Sequence, residues 1–487
     1  MVRTGQSFGN RTVEHELLDD GRTPQSVTQM IKIRNKDQLI NNGEGRLEKR
    51  ARFLALRSLE SALNVVDPKK IMKARVRLKG AAIQIDGHSL DLKRFENIHV
   101  IGGGKASGSM AVALNQILGH RITEGFVSVP LGSMHRAGVI EIHEASHPVP
   151  NEAGVEGARR MLEIAERAGK DALVICLISG GGSSLMPLPH EGISLPDKRE
   201  ITESLLKSGA TISEINTVRK HISDFKGGWL AKKAYPATVL NLILSDVVGD
   251  PIEFIASGPT APDSTTFRDA IDILAKYRLW DTAPESVRTH LSNGAKGLLP
   301  ETPKPGDKAF RNVHNIILGN NRTASLAACK RLESAGLHTL LLTSTLEGEA
   351  RHVGGMLASI AREVSVSGNP IPRPAGIVAG GETTVSVTGS GRGGRNQEIA
   401  LAAGRKLSFT RRAVVASLST DGVDGPTDAA GAIADGDTLA RASRKGLSAD
   451  EFLNRNDSYN FFSNLDDLIF TGPTNTNVND IAVIVVL

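Results

Sequence analysis

Apolar residues follow two patterns along this chain. From Arg46, Phe53, Leu54, Leu56, Leu59, Leu63 and Val66 recur at helical spacing and predict one broad apolar face, ended by Asp67 and Pro68. From Asn97, short apolar runs alternate with amphipathic stretches. IHVIGGG, EGFVSVP, ALVICLIS and TVLNLILSD predict buried strands. Residues 105–118, 151–168, 196–208, 213–234 and 267–277 predict helices, the fourth pausing at Gly227 and Gly228. Strands spaced by helices of this length imply βαβ crossovers and a mostly parallel sheet. LLPETPKPGDK, residues 298–308, predicts a domain boundary. A second alternation follows. It runs through VHNIILG, a helix over 322–335, HTLLLTS and a helix over 349–366, then an extended GNPIPRP link. AGIVAGGETTVSVTG predicts a pair of strands, 396–406 a helix, and AVVASLSTD and DIAVIVVL two buried strands. The expected fold class is α/β, with domains over 30–300 and 305–487. Residues 1–29 are polar and without period, and predict a disordered tail or a start placed too early.

Composition narrows the function classes. A chain of 487 residues with net charge +5 is only mildly basic. Its one dense basic run, KRARFLALR over 49–57, reads as a solvated helix face, so no nucleic-acid partner is expected. No run of 18 uncharged apolar residues occurs, so no membrane span is expected. Cys176 and Cys329 are isolated in apolar contexts, without disulfide or zinc spacing, which points to the cytoplasm.

Six stretches carry candidate chemistry. ISGGGSSLM follows a buried strand, and its Gly180, Gly181, Gly182, Ser183 and Ser184 suit an anion cradle of backbone N–H and hydroxyl donors. IGGGKASGSM adds Lys105 after three glycines, without Walker spacing or a dinucleotide fingerprint. TVLNLILSD delivers Asp246 at a strand end, fit to deprotonate a hydroxyl or hold magnesium. NTVRKHISDFKGG offers Asn216, Arg219 and Lys220 to a small carboxylate. GSGRGGRNQE carries Arg392 and Arg395 in a glycine loop, as phosphoryl transfer uses arginine. STDGVDGPTDAAG places Asp421, Asp424 and Asp428 among glycines, as hard oxygen ligands for a metal. Each stretch also has a plain structural reading, as a tight turn, a cap or a solvated face. Two anion sites, two acidic strand ends and an arginine loop together suit phosphoryl transfer in an interdomain cleft.

GGGKASGSMA, ASHPVPNEAG, LISGGGSSLMPLP, INTVRKHIS with KGG, LSDVVGDP with IASGPTAPD, GGETTVSVTGSGRGGRNQE, STDGVDGPTDAAG and GPTNTNVND resemble the two-domain glycerate 2-kinase family, which ends in the MOFRL domain. MIKIRNKDQLI at Met30 resembles the start of archaeal members. The resemblance implies a Rossmann-like N-terminal domain, a smaller α/β C-terminal domain with its MOFRL region over about 372–482, and a site between them. It implies transfer of the ATP γ-phosphoryl group to D-glycerate with Mg2+ or another divalent cation, giving 2-phosphoglycerate. Lys105 and Asp246 match the family's catalytic lysine and acid, and Arg395 its GRNQE arginine. Many members read GDD where this chain reads GDP at 249–251. The small-molecule partners expected are D-glycerate and ATP, with a homodimer left open. The competing classes are an NAD(P)H-dependent hydroxypyruvate reductase, which calls for a ribose-binding acid not found here, and a non-enzymatic sugar-acid or nucleotide binder.

Overall fold

The computed structural model describes residues 30–487 except Met134, Phe409 and Arg411, so the expected N-terminal tail lies outside the described residues. Six parallel strands form the first sheet. Its spatial order is Ile140–Ala145, Glu124–Pro130, Asn97–Gly103, Ala172–Ser179, Thr238–Leu244 and Val313–Gly319. Counted along the chain that order is 3-2-1-4-5-6, the Rossmann order, which reverses between the Asn97–Gly103 and Ala172–Ser179 strands. Every residue of Ala172–Ser179 is buried, as a strand covered on both faces requires.

The second sheet is mixed. Its order is His338–Leu346, Ala375–Gly381, Asp480–Val486, Ala413–Ser419, Gly431–Asp435 and Leu468–Ile469. Only the first pair is parallel. Helices Ala350–Ser367 and Arg395–Leu407 pack closely, because a Cβ on Gly354 would lie 2.2 Å from the Ile399 carbonyl oxygen.

Several expectations need correction. Val313–Gly319 pairs parallel with Thr238–Leu244, so it closes the first sheet instead of opening the second domain. The Pro-rich stretch is a surface loop of the first domain, tied there by the Asp263 N–H donating to the Pro303 oxygen at 2.9 Å. The chain passes to the second sheet after Gly319, not near 300. A small antiparallel sheet over 76–91 went unpredicted. The segment after Gly381 forms no second strand; it makes a single bridge, Glu349 to Thr384. The helix predicted over 213–234 is interrupted over a wider stretch than the expected pause: it ends at His221 and resumes as Trp229–Ala234 after Gly227 and Gly228, which take φ of +55° and +85°.

The Arg46–Val65 helix belongs to the C-terminal layer. Leu54, Leu59 and Leu63 share a core with Ala324, Ala328, Val414 and Val483. Phe53 turns outward, 39% exposed. Arg52, expected on a solvated face, is fully buried. Its Nε donates to Asp435 at 2.6 Å and its Nη1 to Asp467 at 2.7 Å. Arg52→Ala strands two buried carboxylates, and should lower unfolding free energy by about 3–5 kcal/mol. Urea denaturation checks this; a loss under about 1 kcal/mol would mean the pair is dispensable.

Candidate active site

The two glycine turns meet where the strand order reverses. Gly103 lies beside Ile178, so both turns leave the same end of adjacent strands. Gly104 takes φ of +148°, and a Cβ there would sit 2.2 Å from Ser179 Oγ. The turns are stitched together. The Lys105 N–H donates to the Gly180 oxygen at 2.8 Å, and the Ala106 N–H to Ser179 Oγ at 3.0 Å. Gly181, at φ of +81°, starts the short helical turn Gly182–Leu185. Ser183 Oγ lies 3.1 Å from Ser257 Oγ, which donates to Asn216 Oδ1 at 2.9 Å. Ser257 itself holds a left-handed φ of +62°, a strained conformation for serine.

Asp246 follows the Thr238–Leu244 strand and lies over Gly180, where any Cβ would sit 2.1 Å from its Oδ2. Its pKa is pushed up to about 6 by burial and the negative charge of Glu382, against the opposing pull of Lys105. The second sheet meets these groups from the other side. Lys105 Nζ pairs with Asp421 Oδ2 at 3.3 Å. Asn477 Nδ2 donates to Asp246 Oδ2 at 3.2 Å. Asp421 Oδ1 is held by Ser419 Oγ at 2.8 Å and the Val423 N–H at 3.0 Å.

Arg395 is not a free arm. Its Nε and Nη2 grip Asp480 at 2.5 and 3.1 Å, and its Nη1 donates to Glu382 at 2.6 Å. Burial works against its charge, but Asp480 and Glu382 outweigh it and hold its pKa above the ordinary value. Arg392 is pinned too, its guanidinium 4.1 Å from the Tyr459 ring centroid.

Beside Lys105 opens a cavity of 650 Å³. His147, Gly181, Ser183, Ser184, Arg199, Thr202 and Leu206 are among its lining residues. Burial, then Lys105, pulls the His147 pKa to about 4, so this imidazole is neutral. Lys198, Arg219 and Lys226 also line the cavity, and none has a carboxylate partner within 4.0 Å among the described residues. Lys226 Nζ donates to the Ser183 and Met186 oxygens at 2.8 and 3.2 Å. Burial, with Arg219 nearby, depresses the Lys198 pKa to about 7. Burial, then Lys198 and Arg219, depresses that of Lys226 as well. Two buried lysines and a half-buried arginine suit this hollow to an anion, whose charge would offset the burial that depresses the lysine pKa values.

Other expected groups fall elsewhere. Lys220 pairs with the buried Asp263 at 3.3 Å and is spent on structure. Asn216 stands behind the cradle, bonded to Ser257, not at its surface. The three loop aspartates do not assemble. Asp424 accepts the Asn396 and Gln397 N–H groups at 3.1 and 2.9 Å, capping the Arg395–Leu407 helix. Asp428 is exposed and accepts from the Tyr459 hydroxyl at 2.7 Å. Among the described residues no three His, Cys, Asp or Glu side chains cluster as a metal site. Of the loop aspartates, only Asp421 faces Lys105. His147, Lys198, Lys226, Glu382 and Asn477 were not singled out as site residues from the sequence. Lys198 reads as one more polar position of an amphipathic helix, and only the fold reveals that it points inward.

A domain of unknown function, DUF4147, matches residues 54–292, and the MOFRL family matches 375–480. A glycerate 2-kinase from Pyrococcus horikoshii is 43% identical, over 89% of this chain and 97% of its own length. A D-glycerate 2-kinase from Thermotoga maritima is 40% identical, over 86% of this chain and 99% of its own. The crystal structure of a glycerate kinase from Thermotoga maritima superposes with a TM-score of 0.79 at 39% identity, covering 89% of this chain and 99% of that one. Among the described residues no helix is long and apolar enough to cross a membrane. The chain belongs to the glycerate 2-kinase family.

Proposed function

We propose that this chain transfers the γ-phosphoryl group of ATP to the 2-hydroxyl of D-glycerate, releasing 2-phospho-D-glycerate and ADP. The observation that carries the reading is the meeting of Lys105 and Asp246 with Asp421 and Asn477 across two sheets, beside a hollow lined by Lys198, Arg219 and Lys226. Asp246 takes the hydroxyl proton as the new O–P bond forms and the bond to ADP breaks. Lys105 leaves Asp421 to neutralise the transferring group. The Gly180–Ser184 cradle, with Lys198, Arg219 and Lys226, holds the nucleotide's phosphates. Arg395 offsets Glu382 and Asp480 at the edge of the site, a positioning role.

The family implies a divalent cation, and the donor set fits one. Glu382 and Asp421 both raise the Asp246 pKa, so surplus negative charge faces the cleft. Magnesium is commonly held by one or two carboxylates plus substrate phosphates, so no three-carboxylate cage is needed. Asp421 and Glu382 would hold it, and it would neutralise phosphate charge. The two cysteines, free and buried, accord with a cytoplasmic setting.

Incubation with ATP, magnesium and D-glycerate, followed by enolase, tests the reading. Enolase consumes only the 2-phospho isomer, so its product should appear. Oxidation of NADH by hydroxypyruvate without any phosphoryl transfer would replace the kinase by the reductase. Arg219→Ala should raise KM for ATP about tenfold or more with kcat nearly unchanged, as loss of one charge-assisted contact does. Initial-rate kinetics check this; an unchanged KM removes Arg219 from the phosphate site.

A further inference from the structure

The last loop before the final strand reaches into the site from the second sheet, and its construction is unusual. Asn475 and Asn479 both hold left-handed φ, +59° and +65°. Asparagine tolerates that region better than other side chains do, and TNTNVND places one on each side of Asn477. The loop is pinned at several points. Thr474 Oγ1 donates to the Thr420 oxygen at 2.6 Å, and Thr476 Oγ1 to the Val66 oxygen at 2.9 Å. The Val478 N–H donates to Thr420 Oγ1 at 2.9 Å, and Asn321 Nδ2 to the Val478 oxygen at 2.9 Å.

Within this frame the Asn477 amide has one orientation. Its Oδ1 accepts the Asn479 N–H at 3.2 Å. Its Nδ2 is therefore the end turned to Asp246 Oδ2, at 3.2 Å. Backbone strain held on both sides of one polar side chain is what preorganisation of a functional group looks like.

We infer that Asn477 is a positioning residue that reaches across the cleft, holds Asp246 Oδ2 and leaves Oδ1 to take the substrate's hydroxyl proton. The inference rests on the kinase reading. It makes the competence of the base depend on the second domain, because the donor that aims Asp246 arrives only with that domain's last loop. The first segment of the chain shares in this, since Val66 anchors the same loop.

The test uses the full chain as wild type, Asn477→Ala, Asn477→Asp, Asp246→Asn and the Asp246→Asn/Asn477→Ala double variant. Initial rates are measured with ATP, magnesium and D-glycerate. Asn477→Ala should lower kcat about ten- to hundredfold, the cost of a misaimed base, with both KM values within about twofold of wild type. Asn477→Asp keeps the volume, loses the donor and adds a like charge, so its kcat should fall at least as far. In the Asp246→Asn background the alanine change should have no further effect, because the two residues act as one unit. Wild-type kcat in Asn477→Asp overturns the inference, as does an equal fall in both backgrounds. A wild-type chain inactive on D-glycerate overturns the kinase reading and the inference with it. An active wild type with unaffected Asn477 variants overturns the inference alone.

Discussion

Asp246→Asn will lower kcat by about a thousandfold, within the range that removal of a general base produces. The amide keeps the shape and cannot take the hydroxyl proton. The same group sets the acid limb of the wild-type rate. With its pKa pushed up to about 6 by burial and Glu382, kcat/KM should fall as pH drops through about 6, and Asp246→Asn should lose that limb. Stability moves the other way. A carboxyl with a raised folded-state pKa favours folding fully below its unfolded value, and loses that contribution as pH rises through about 6. At neutral pH the charged Asp246 is therefore a burden, and Asp246→Asn should be more stable by on the order of 2 kcal/mol, after allowing for solvent screening. Below about pH 4 the two proteins should unfold alike. Initial-rate profiles and urea melts across pH read both effects. A variant that is less stable and nearly as active would remove Asp246 from its role.

Lys105→Ala will lower turnover by roughly a hundredfold or more, the size expected for loss of a charge aimed at the transferring group. The change also moves the base. Lys105 opposes the rise of the Asp246 pKa, so without it the acid limb should shift to higher pH. Lys105 also presses the His147 pKa down, so in the variant that imidazole should titrate closer to neutrality. A pH–rate profile and an imidazole titration followed by nuclear magnetic resonance separate these effects. Turnover near wild type with an unmoved acid limb would place Lys105 outside the reaction.

Backbone-encoded features were legible in the sequence. The glycine turns, the strand that leads to Asp246 and the alternation of strands with helices depend on local residue types, so four strands of the first sheet could be read directly, with Lys105 and Asp246 just past the ends of two of them. Partnerships between distant segments could not. Nothing local to VHNIILG says which sheet receives it, and proline near 300 marks a surface turn as readily as a boundary. Arg52 looks solvated until Asp435 and Asp467, 383 and 415 residues on, close over it. The loop aspartates illustrate the same limit. Asp421, Asp424 and Asp428 look equivalent among glycines, yet they pair with a lysine, a helix end and a tyrosine. Arg395 follows a run of glycines, and is held because Asp480 lies on the final strand.

The most direct measurement is a crystal structure of the full chain with D-glycerate, magnesium and a non-hydrolysable ATP analogue. The glycerate 2-hydroxyl should lie within hydrogen-bond reach of Asp246, with the analogue's terminal phosphate against Lys105 and its inner phosphates over Gly180–Ser184. Ligands seated away from both Lys105 and Asp246 would contradict it.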